Sequence, residues 1–325
     1  MGKRRIKHLG RNKNILKMKK AFIKILTILG VMASIFAFIN ITKDLKGLYK
    51  GRNLTDNKIE FYIEVADEIG DNKVQLSWKE LLAIDMVKYN KDLSDIKKKD
   101  VIDVGKLFIT KEKDDEGNKV YKVRTFNTVL DKLGFDDKQK SKAKEYLKSL
   151  ENVALYGNKL IGQTDKINFV KTVSKRAKEN YYEYGILPSI TTAQAILESG
   201  WGQSSLTKNS NNVFGIKADS RWSGEKVQVS TSENYNDKIV AAFRVYNSID
   251  ESINDHGKFL YENSRYRENG LFDAHHYKTQ AQALEDAGYS TKKDKLGNPI
   301  YADTLIDLIQ NYNLQLLDRE VETVK

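Results

Sequence analysis

The 325-residue sequence predicts an α+β protein in which α-helices dominate and β-strands form a minor part. Three features lead to this prediction. An apolar run near the N-terminus has the length of a transmembrane helix. Residues 58–152 combine helical periodicity with two short extended segments. Residues 160–318 contain several amphipathic helices and one small β-lobe, indicated around Val227 and Val229 by alternating apolar and polar residues.

The N-terminal part of the chain divides into three segments by composition. Residues 1–20 are basic and predict a cytoplasmic tail, residues 21–41 are apolar and predict a transmembrane helix, and residues 42–57 are polar and predict a stalk. The basic flank predicts a single-pass protein of the cell membrane with an extracytoplasmic body. The alternative is a cleaved signal peptide that releases a secreted protein. The long apolar run without an A-x-A site argues against cleavage.

The net charge of +11 is concentrated near the N-terminus. Residues 1–24 hold ten of the 55 Lys and Arg residues and no acid, so the rest of the chain is nearly balanced against the 44 acidic residues. This distribution argues against nucleic acid as a partner. The chain has no cysteine, and the spacing of its four histidines does not suit a shared metal ion. We therefore expect no metal site.

Residues 58–152 predict a small α+β module. Ser77 and Glu80 form a capping-box pattern at the start of a helix. Residues 107–110 and 120–123 are extended segments on either side of a turn, and two further helices follow. We interpret the module as a spacer that positions the rest of the chain or contacts proteins of a membrane complex.

Asp85 lies on the apolar face of the helix that follows Ser77. An acid in such a position invites a functional interpretation. No second acid or aromatic cleft motif accompanies it, however, so we interpret Asp85 as an edge residue or as the partner of a local lysine.

The helix predicted between Pro188 and Gly200 carries the candidate catalytic acid. Pro188 suits the first turn of a helix, and Gly200 suits its end. Glu198 then lies in the last turn, where the helix dipole disfavours a negative charge, and burial against Trp201 would act in the same direction. Both effects raise the pKa of the carboxyl group, so Glu198 is a candidate general acid.

Several motifs occur in order along the second half of the chain. They are ITTAQAILESGWGQSSLT at residues 190–207, NNVFGIKA at 211–218, W-S-G at 222–224, T-S-E at 231–233 and AFRVYNS at 242–248. Together they resemble the motifs of glycoside hydrolase family 73, the mannosyl-glycoprotein endo-β-N-acetylglucosaminidase-like peptidoglycan hydrolases. The segment AGYSTKKDKLGNPIYADTLIDLI at 287–309 is similar to the closing motif of that family, with an insertion at 292–296. The resemblance covers about residues 166–317.

The resemblance implies a mainly α-helical, lysozyme-like catalytic domain with a small β-lobe over residues 160–318. It implies cleavage of the β-1,4 bond after N-acetylglucosamine in peptidoglycan glycan strands, without a cofactor, with Glu198 as general acid. It points to Glu233 as the second catalytic carboxylate, although Asp219 and Glu225 lie in the same lobe. A third possibility is attack by the substrate's own acetamido group, which needs no protein nucleophile.

A glycan cleft also needs flat aromatic faces and amide groups. Each candidate taken alone would as readily pack in a core, but as a set on the motifs around Glu198 they favour a groove. The candidate substrate-binding residues are Gln194, Trp201, Asn212, Phe214, Trp222, Tyr289 and Tyr301.

Two alternative functions stay open at the level of sequence. A lytic transglycosylase or muramidase would also use a lysozyme-like domain and one acid. A wall-binding scaffold subunit of a secretion or conjugation apparatus would need no catalysis, and the intact motif around Glu198 argues against it.

Overall fold

The computed structural model describes residues 56–71, 73–113, 117, 119–154, 160, 163–233 and 237–322; of these, side chains are not described at 56, 151–154, 231–233 and 237–239. The predicted tail and transmembrane helix, and nearly all of the predicted stalk, lie outside these residues and stay predictions. Among the described residues, no helix combines the length and apolar character needed to cross a membrane.

Helices make up most of the described chain, with two antiparallel β-hairpins, and this confirms the mainly helical α+β architecture. The helices are α1 (Asp56–Gly70), α2 (Trp78–Lys88), α3 (Lys98–Lys106), α4 (Phe126–Lys132), α5 (Asp137–Ala154), α6 (Thr164–Tyr184), α7 (Pro188–Ser199), α8 (Ser205–Ser210), α9 (Ile249–Glu262), α10 (Ser264–Glu268), α11 (Tyr277–Asp286), α12 (Tyr301–Asn311) and α13 (Gln315–Glu322). The strands are β1 (Ile109–Lys113), β2 (Lys119–Val123), β3 (Lys226–Glu233) and β4 (Asp237–Arg244).

The N-terminal region, residues 56–154, contains the predicted capped helix and hairpin. Helix α2 begins after Ser77, whose hydroxyl accepts the backbone N–H of Glu80 at 3.4 Å. Strands β1 and β2 pair from Ile109 opposite Val123 to the hairpin turn. Both predictions of local structure are confirmed, because the signals that carry them lie within a few residues of one another.

The interpretation of Asp85 was wrong. Its side chain is 0% exposed, and Tyr62 on α1 donates a hydrogen bond to it at 2.9 Å. Burial is the main cause that raises the pKa of Asp85 to about 6. The partner is therefore a tyrosine of a neighbouring helix rather than a local lysine.

The N-terminal region packs directly on the C-terminal helices. Asp67 of α1 is buried. It accepts a hydrogen bond from Tyr277 at 2.5 Å and forms an ion pair with Lys278 at 2.8 Å. Arg319 of α13 pairs with Glu80 of α2 at 3.0 Å. These contacts join parts of the chain that are separated by more than two hundred residues.

Helix α7 lies in the core of the second region, with α6, α11, α12 and α13 packed around it. All of its residues are buried except Leu197, which is half-buried, and Glu198, which is exposed. At its N-terminus, buried Asp318 of α13 accepts the backbone N–H of Ser189 at 2.8 Å and its hydroxyl at 2.6 Å. This carboxyl group satisfies donors that the first turn of a helix leaves unpaired.

Strands β3 and β4 form the small β-lobe. They pair in antiparallel register from Lys226 opposite Arg244 to Glu233 opposite Asp237. The predicted extended segment around Val227 and Val229 is therefore confirmed as part of β3.

Candidate active site

Three consecutive left-handed residues end helix α7 beside Glu198. Gly200, Trp201 and Gly202 have φ values of 56°, 63° and 74°. A side chain at Gly202 would put its Cβ 2.7 Å from the ring of Phe169, so only glycine fits there. The hydroxyl of Ser199 accepts the N–H of Gly202 at 2.7 Å and braces the turn. The sequence therefore fixes where the helix stops and leaves Glu198 in its last turn.

The Glu198 carboxyl group is open to solvent and is also crowded by protein. Desolvation by the surrounding protein is the main cause that raises its pKa. Tyr301 donates a hydrogen bond to Oε1 at 2.9 Å, which acts in the opposite direction, as does the charge of Lys292. The net result is a carboxyl group whose pKa lies above its ordinary value while one oxygen stays available. Such a group can donate a proton to a bound molecule.

A chain of buried and half-buried side chains stands behind this carboxyl group. Gln194 donates to the hydroxyl of Tyr301 at 3.1 Å, and Tyr301 stacks on Tyr289 with ring centroids 5.2 Å apart. The hydroxyl of Tyr289 lies 3.3 Å from Nε2 of His256, and His256 stacks on Phe214 at 3.8 Å. Burial lowers the pKa of His256 to about 3, so its ring is neutral. This chain holds Tyr301 in position.

The burial of these residues corrects three predicted substrate contacts. Gln194, Phe214 and Tyr301 are 0%, 5% and 3% exposed. Their side chains face the interior, where a glycan strand has no access. Tyr301 therefore acts on Glu198 rather than on substrate, and Gln194 acts on Tyr301. Tyr289 is half-buried in the same stack.

Asn212 is a further correction. It is 1% exposed, and its amide donates to the carbonyls of Ile216 at 3.0 Å and Arg244 at 2.8 Å. Its oxygen accepts the N–H of Ile216 at 3.0 Å. The amide binds the loop after α8 to strand β4, so it is not available to a sugar.

The two tryptophans, Trp201 and Trp222, are half-exposed, and their role as substrate contacts stays a prediction. Trp222 donates from its indole nitrogen to the carbonyl of Glu225 at 2.9 Å. Trp201 packs edge-on against Tyr312 at 4.9 Å, and the ammonium group of Lys166 lies 4.8 Å from its ring centre. A cavity of about 530 Å³ opens beside Trp201. A larger groove of about 1030 Å³ lies between α2 and α13, and neither the cavity nor the groove includes Glu198 in its lining.

Glu233 is placed by its backbone only, at the end of β3 opposite Asp237. Its side chain lies outside what the structure describes, so its role as second carboxylate stays a prediction. The alternative Asp219 forms an ion pair with Arg221 at 2.7 Å, which together with its hydrogen bonds lowers its pKa. An acid held in this way is ionised at neutral pH.

Sequence reasoning missed His256 and Asp318. Both are buried polar residues on helices, at positions where the apolar pattern gives no sign of a partner. Their partners lie 33 residues from His256 and 129 residues from Asp318 along the chain. The only available signal was a histidine or an acid on an otherwise apolar helical face.

An exposed carboxyl group of raised pKa, held by a buried tyrosine at the end of a core helix, is a group that can donate a proton. Residues 174–314 match the family model described as mannosyl-glycoprotein endo-beta-N-acetylglucosaminidase. This part of the chain is therefore similar to the glucosaminidase domains that the family model describes.

Individual proteins show the same relationship. The chain is 35% identical over 163 residues to the exo-glucosaminidase LytG of Bacillus subtilis. The aligned region covers 48% of this chain and 55% of LytG. It is 36% identical over 149 residues to the peptidoglycan hydrolase FlgJ of Vibrio parahaemolyticus, covering 44% of this chain and 46% of FlgJ. The chain thus spans about half the length of these relatives. The catalytic domain of the autolysin Auto from Listeria monocytogenes is 32% identical, with 48% of this chain and 88% of that domain covered and a TM-score of 0.41.

Proposed function

We propose that the chain is a glycoside hydrolase of the bacterial cell wall that cleaves the β-1,4 bond after N-acetylglucosamine in peptidoglycan. The observation that carries this proposal is the exposed Glu198 carboxyl group with Tyr301 on one oxygen, within a glucosaminidase domain. The names of the relatives support the substrate class, since LytG is an exo-glucosaminidase and FlgJ is a peptidoglycan hydrolase.

In this proposal Glu198 protonates the leaving glycosidic oxygen. Tyr301 donates to Oε1, so the transferable proton is carried by Oε2. Burial keeps a fraction of the group protonated at a pH where an ordinary glutamate is ionised. The reaction needs no metal and no cofactor, because protonation and stabilisation of the oxocarbenium ion suffice.

The second catalytic group is either Glu233 or the acetamido group of the substrate. The position of Glu233 on the β-lobe strand supports the first option. If Glu233 is base or nucleophile, Glu233→Gln lowers kcat severely and leaves substrate binding nearly unchanged, because the lost interaction exists mainly in the transition state. Near wild-type turnover would assign the step to the acetamido group.

A muramidase is the second candidate function. It is supported by a relative from Lactococcus lactis named "Probable N-acetylmuramidase", which is 32% identical over 154 residues. Mass spectrometry of digested cell wall distinguishes the two. Fragments with N-acetylglucosamine at the reducing end support the glucosaminidase, and fragments ending in reducing or anhydro N-acetylmuramic acid would overturn it. Free monosaccharide or disaccharide products would indicate exo action, and longer fragments endo action.

We further propose that the enzyme works outside the cell membrane, anchored by residues 21–41, with residues 58–152 as the contact for other membrane proteins. The basic tail and the apolar run support this topology. Protease added to wall-stripped cells should digest the catalytic domain and leave a small anchored fragment. Protection of the whole chain would mean the reverse orientation, and a soluble form beginning near residue 40 would mean cleavage and secretion.

A further inference from the structure

The segment between Tyr289 and Tyr301 is a closed loop at the rim of the candidate site. The rings of these two tyrosines stack, and Tyr301 donates a hydrogen bond to Glu198. Both ends of the loop are therefore fixed beside the Glu198 carboxyl group. Residues 290–300 form the loop between them. This segment includes the insertion that departs from the family motif.

The loop is ordered by its own acid. The carboxylate of Asp294 accepts the backbone N–H groups of Leu296 and Asn298, each at 2.8 Å, and the side-chain amide of Asn298 at 3.0 Å. A bridge between Lys293 and Pro299 closes the loop. The single negative charge of the loop is therefore engaged inside it.

Three lysines of the loop are exposed at the rim, at positions 292, 293 and 295. Within the described part of the chain, no carboxylate lies at ion-pair distance from their ammonium groups. Leu296 at the tip is 87% exposed. The loop thus presents positive charge to solvent on a fixed backbone next to Glu198.

The chemistry of Glu198 does not explain this charge. The charge of Lys292 lowers the pKa of Glu198 and so works against proton donation. A cation that opposes the acid must serve another purpose if it serves catalysis at all. Exposed cations beside the candidate site can instead attract and orient a negatively charged part of the substrate.

Peptidoglycan supplies such a group next to every bond of the proposed type. Its glycan alternates N-acetylglucosamine with a sugar that bears a peptide through a lactyl ether, and these peptides carry free carboxylates. A glycan strand that places an N-acetylglucosaminyl bond at Glu198 therefore brings a peptide-bearing sugar to the adjoining position. The neighbouring rim is where its carboxylates can meet ammonium groups.

We propose that residues 292–296 form an anion subsite in which Lys292, Lys293 and Lys295 bind carboxylates of the peptide stems and so favour peptide-bearing over denuded glycan. This proposal deepens the proposed function and rests on it. The subsite acts in substrate selection, and the proton transfer at Glu198 proceeds without it.

The test compares the full chain with a variant in which all three loop lysines are changed to glutamine. A matched control carries Lys132→Gln, Lys138→Gln and Lys144→Gln, which remove the same charge from exposed positions on α4 and α5. The substrates are peptide-bearing peptidoglycan stripped of phosphate polymers, the same glycan denuded by an amidase, and peptidoglycan that retains its phosphate polymers. The measured quantity is kcat/KM at low and at high salt.

The expected result is a loss of about tenfold for the loop variant on peptide-bearing glycan at low salt, which shrinks at high salt, since each exposed ion pair contributes modestly and is screened. On denuded glycan, which keeps only the lactyl carboxylate that the amidase frees on each peptide-bearing sugar, the loss should be clearly smaller, and the control variant should match the wild type on both glycans. An equal loss on both glycans would mean that the lysines act through Glu198 or the fold, and no loss would remove the subsite. A loss only where phosphate polymers remain would assign the charge to phosphate and overturn the carboxylate assignment. Failure of the proposed function is separate, because the unmodified chain would then cleave neither glycan.

Discussion

Two acids in this chain have the same kind of partner and different access to solvent. Asp85 on α2 accepts a hydrogen bond from Tyr62 at 2.9 Å, and Glu198 on α7 accepts one from Tyr301 at 2.9 Å. Burial raises the pKa of both carboxyl groups. Asp85 is 0% exposed, whereas Glu198 is exposed at the end of its helix.

The difference shows that a perturbed pKa alone does not identify a catalytic residue. Both carboxyl groups hold a proton more strongly than usual, but only Glu198 can transfer it to a bound molecule. Structural acids in cores also have shifted pKa values. Access to solvent at the end of α7, produced by the turn at Gly200, separates the two roles.

The largest expected effect on activity comes from replacing the carboxyl group of Glu198, with the same replacement at Asp85 as the comparison. Glu198→Gln keeps the shape of the side chain and should lower wall hydrolysis about 10²- to 10⁴-fold, the usual contribution of a general acid. Asp85→Asn should leave turnover within about twofold. Activity is followed by release of soluble muropeptides, and circular dichroism checks the fold. A comparable loss in both variants would end the distinction between the two acids.

A third acid, Asp318, extends the comparison to the opposite end of helix α7. Asp318→Ala removes the acceptor of both Ser189 donors, which should destabilise the fold by about 3 kcal/mol, since buried unsatisfied groups cost about 1–3 kcal/mol each. The kcat of the folded fraction should change little. Chemical denaturation measures the loss. An unchanged midpoint would mean that the start of α7 needs no anchor from α13.

Substituting Tyr301 and Tyr62, the hydrogen-bond donors to Glu198 and Asp85, tests the same difference between the two acids. Tyr301→Phe should lower kcat about tenfold because the Glu198 carboxyl group loses the bond that orients it. That bond lowers the pKa of Glu198, so its removal raises the pKa and moves the alkaline limb of the kcat profile to higher pH. Tyr62→Phe should lower stability and leave the profile in place. An alkaline limb that stays fixed in Tyr301→Phe would show that Glu198 does not set it.

The smallest expected effect is on the pH dependence of stability. Burial raises the pKa of Asp85 to about 6 and that of Asp318 to about 7, from an ordinary value of 3.8 in each case. Between these values the folded state binds more protons than the unfolded state. Their contribution is therefore fully present below about pH 4 and is lost as the pH rises through 6 and 7.

Replacing either acid by asparagine should reduce the fall in the free energy of unfolding by about 1 kcal/mol per pH unit. The reduction should occur between about pH 4 and the raised pKa of the acid that is replaced. Unfolding by urea between pH 4 and pH 8 gives the slope. A slope that is identical in the wild type and in both asparagine variants would mean that these acids are not buried as described.

The sequence predicted local structure well and partners poorly. The bounds of α7 follow from Pro188 and Gly200, and the hairpins follow from alternation and turn residues, because these signals act over a few residues. The contact of Tyr301 with Glu198 joins residues 103 positions apart, and the bond from Ser189 to Asp318 spans 129 positions. Such pairs depend on tertiary packing. For the same reason Asn212, Gln194 and Phe214 were expected in a cleft and lie in the interior.

The most direct test of Glu198 as proton donor is whether its replacement matters only when the leaving group of the substrate must be protonated. Wild type and Glu198→Gln are compared on cell-wall glycan and on an aryl glycoside of N-acetylglucosamine whose leaving group departs without protonation. If Glu198 is the proton donor, the loss is at least about 10²-fold on the glycan and much smaller on the aryl substrate. Equal losses on the two substrates would contradict the assignment of Glu198 as the proton donor.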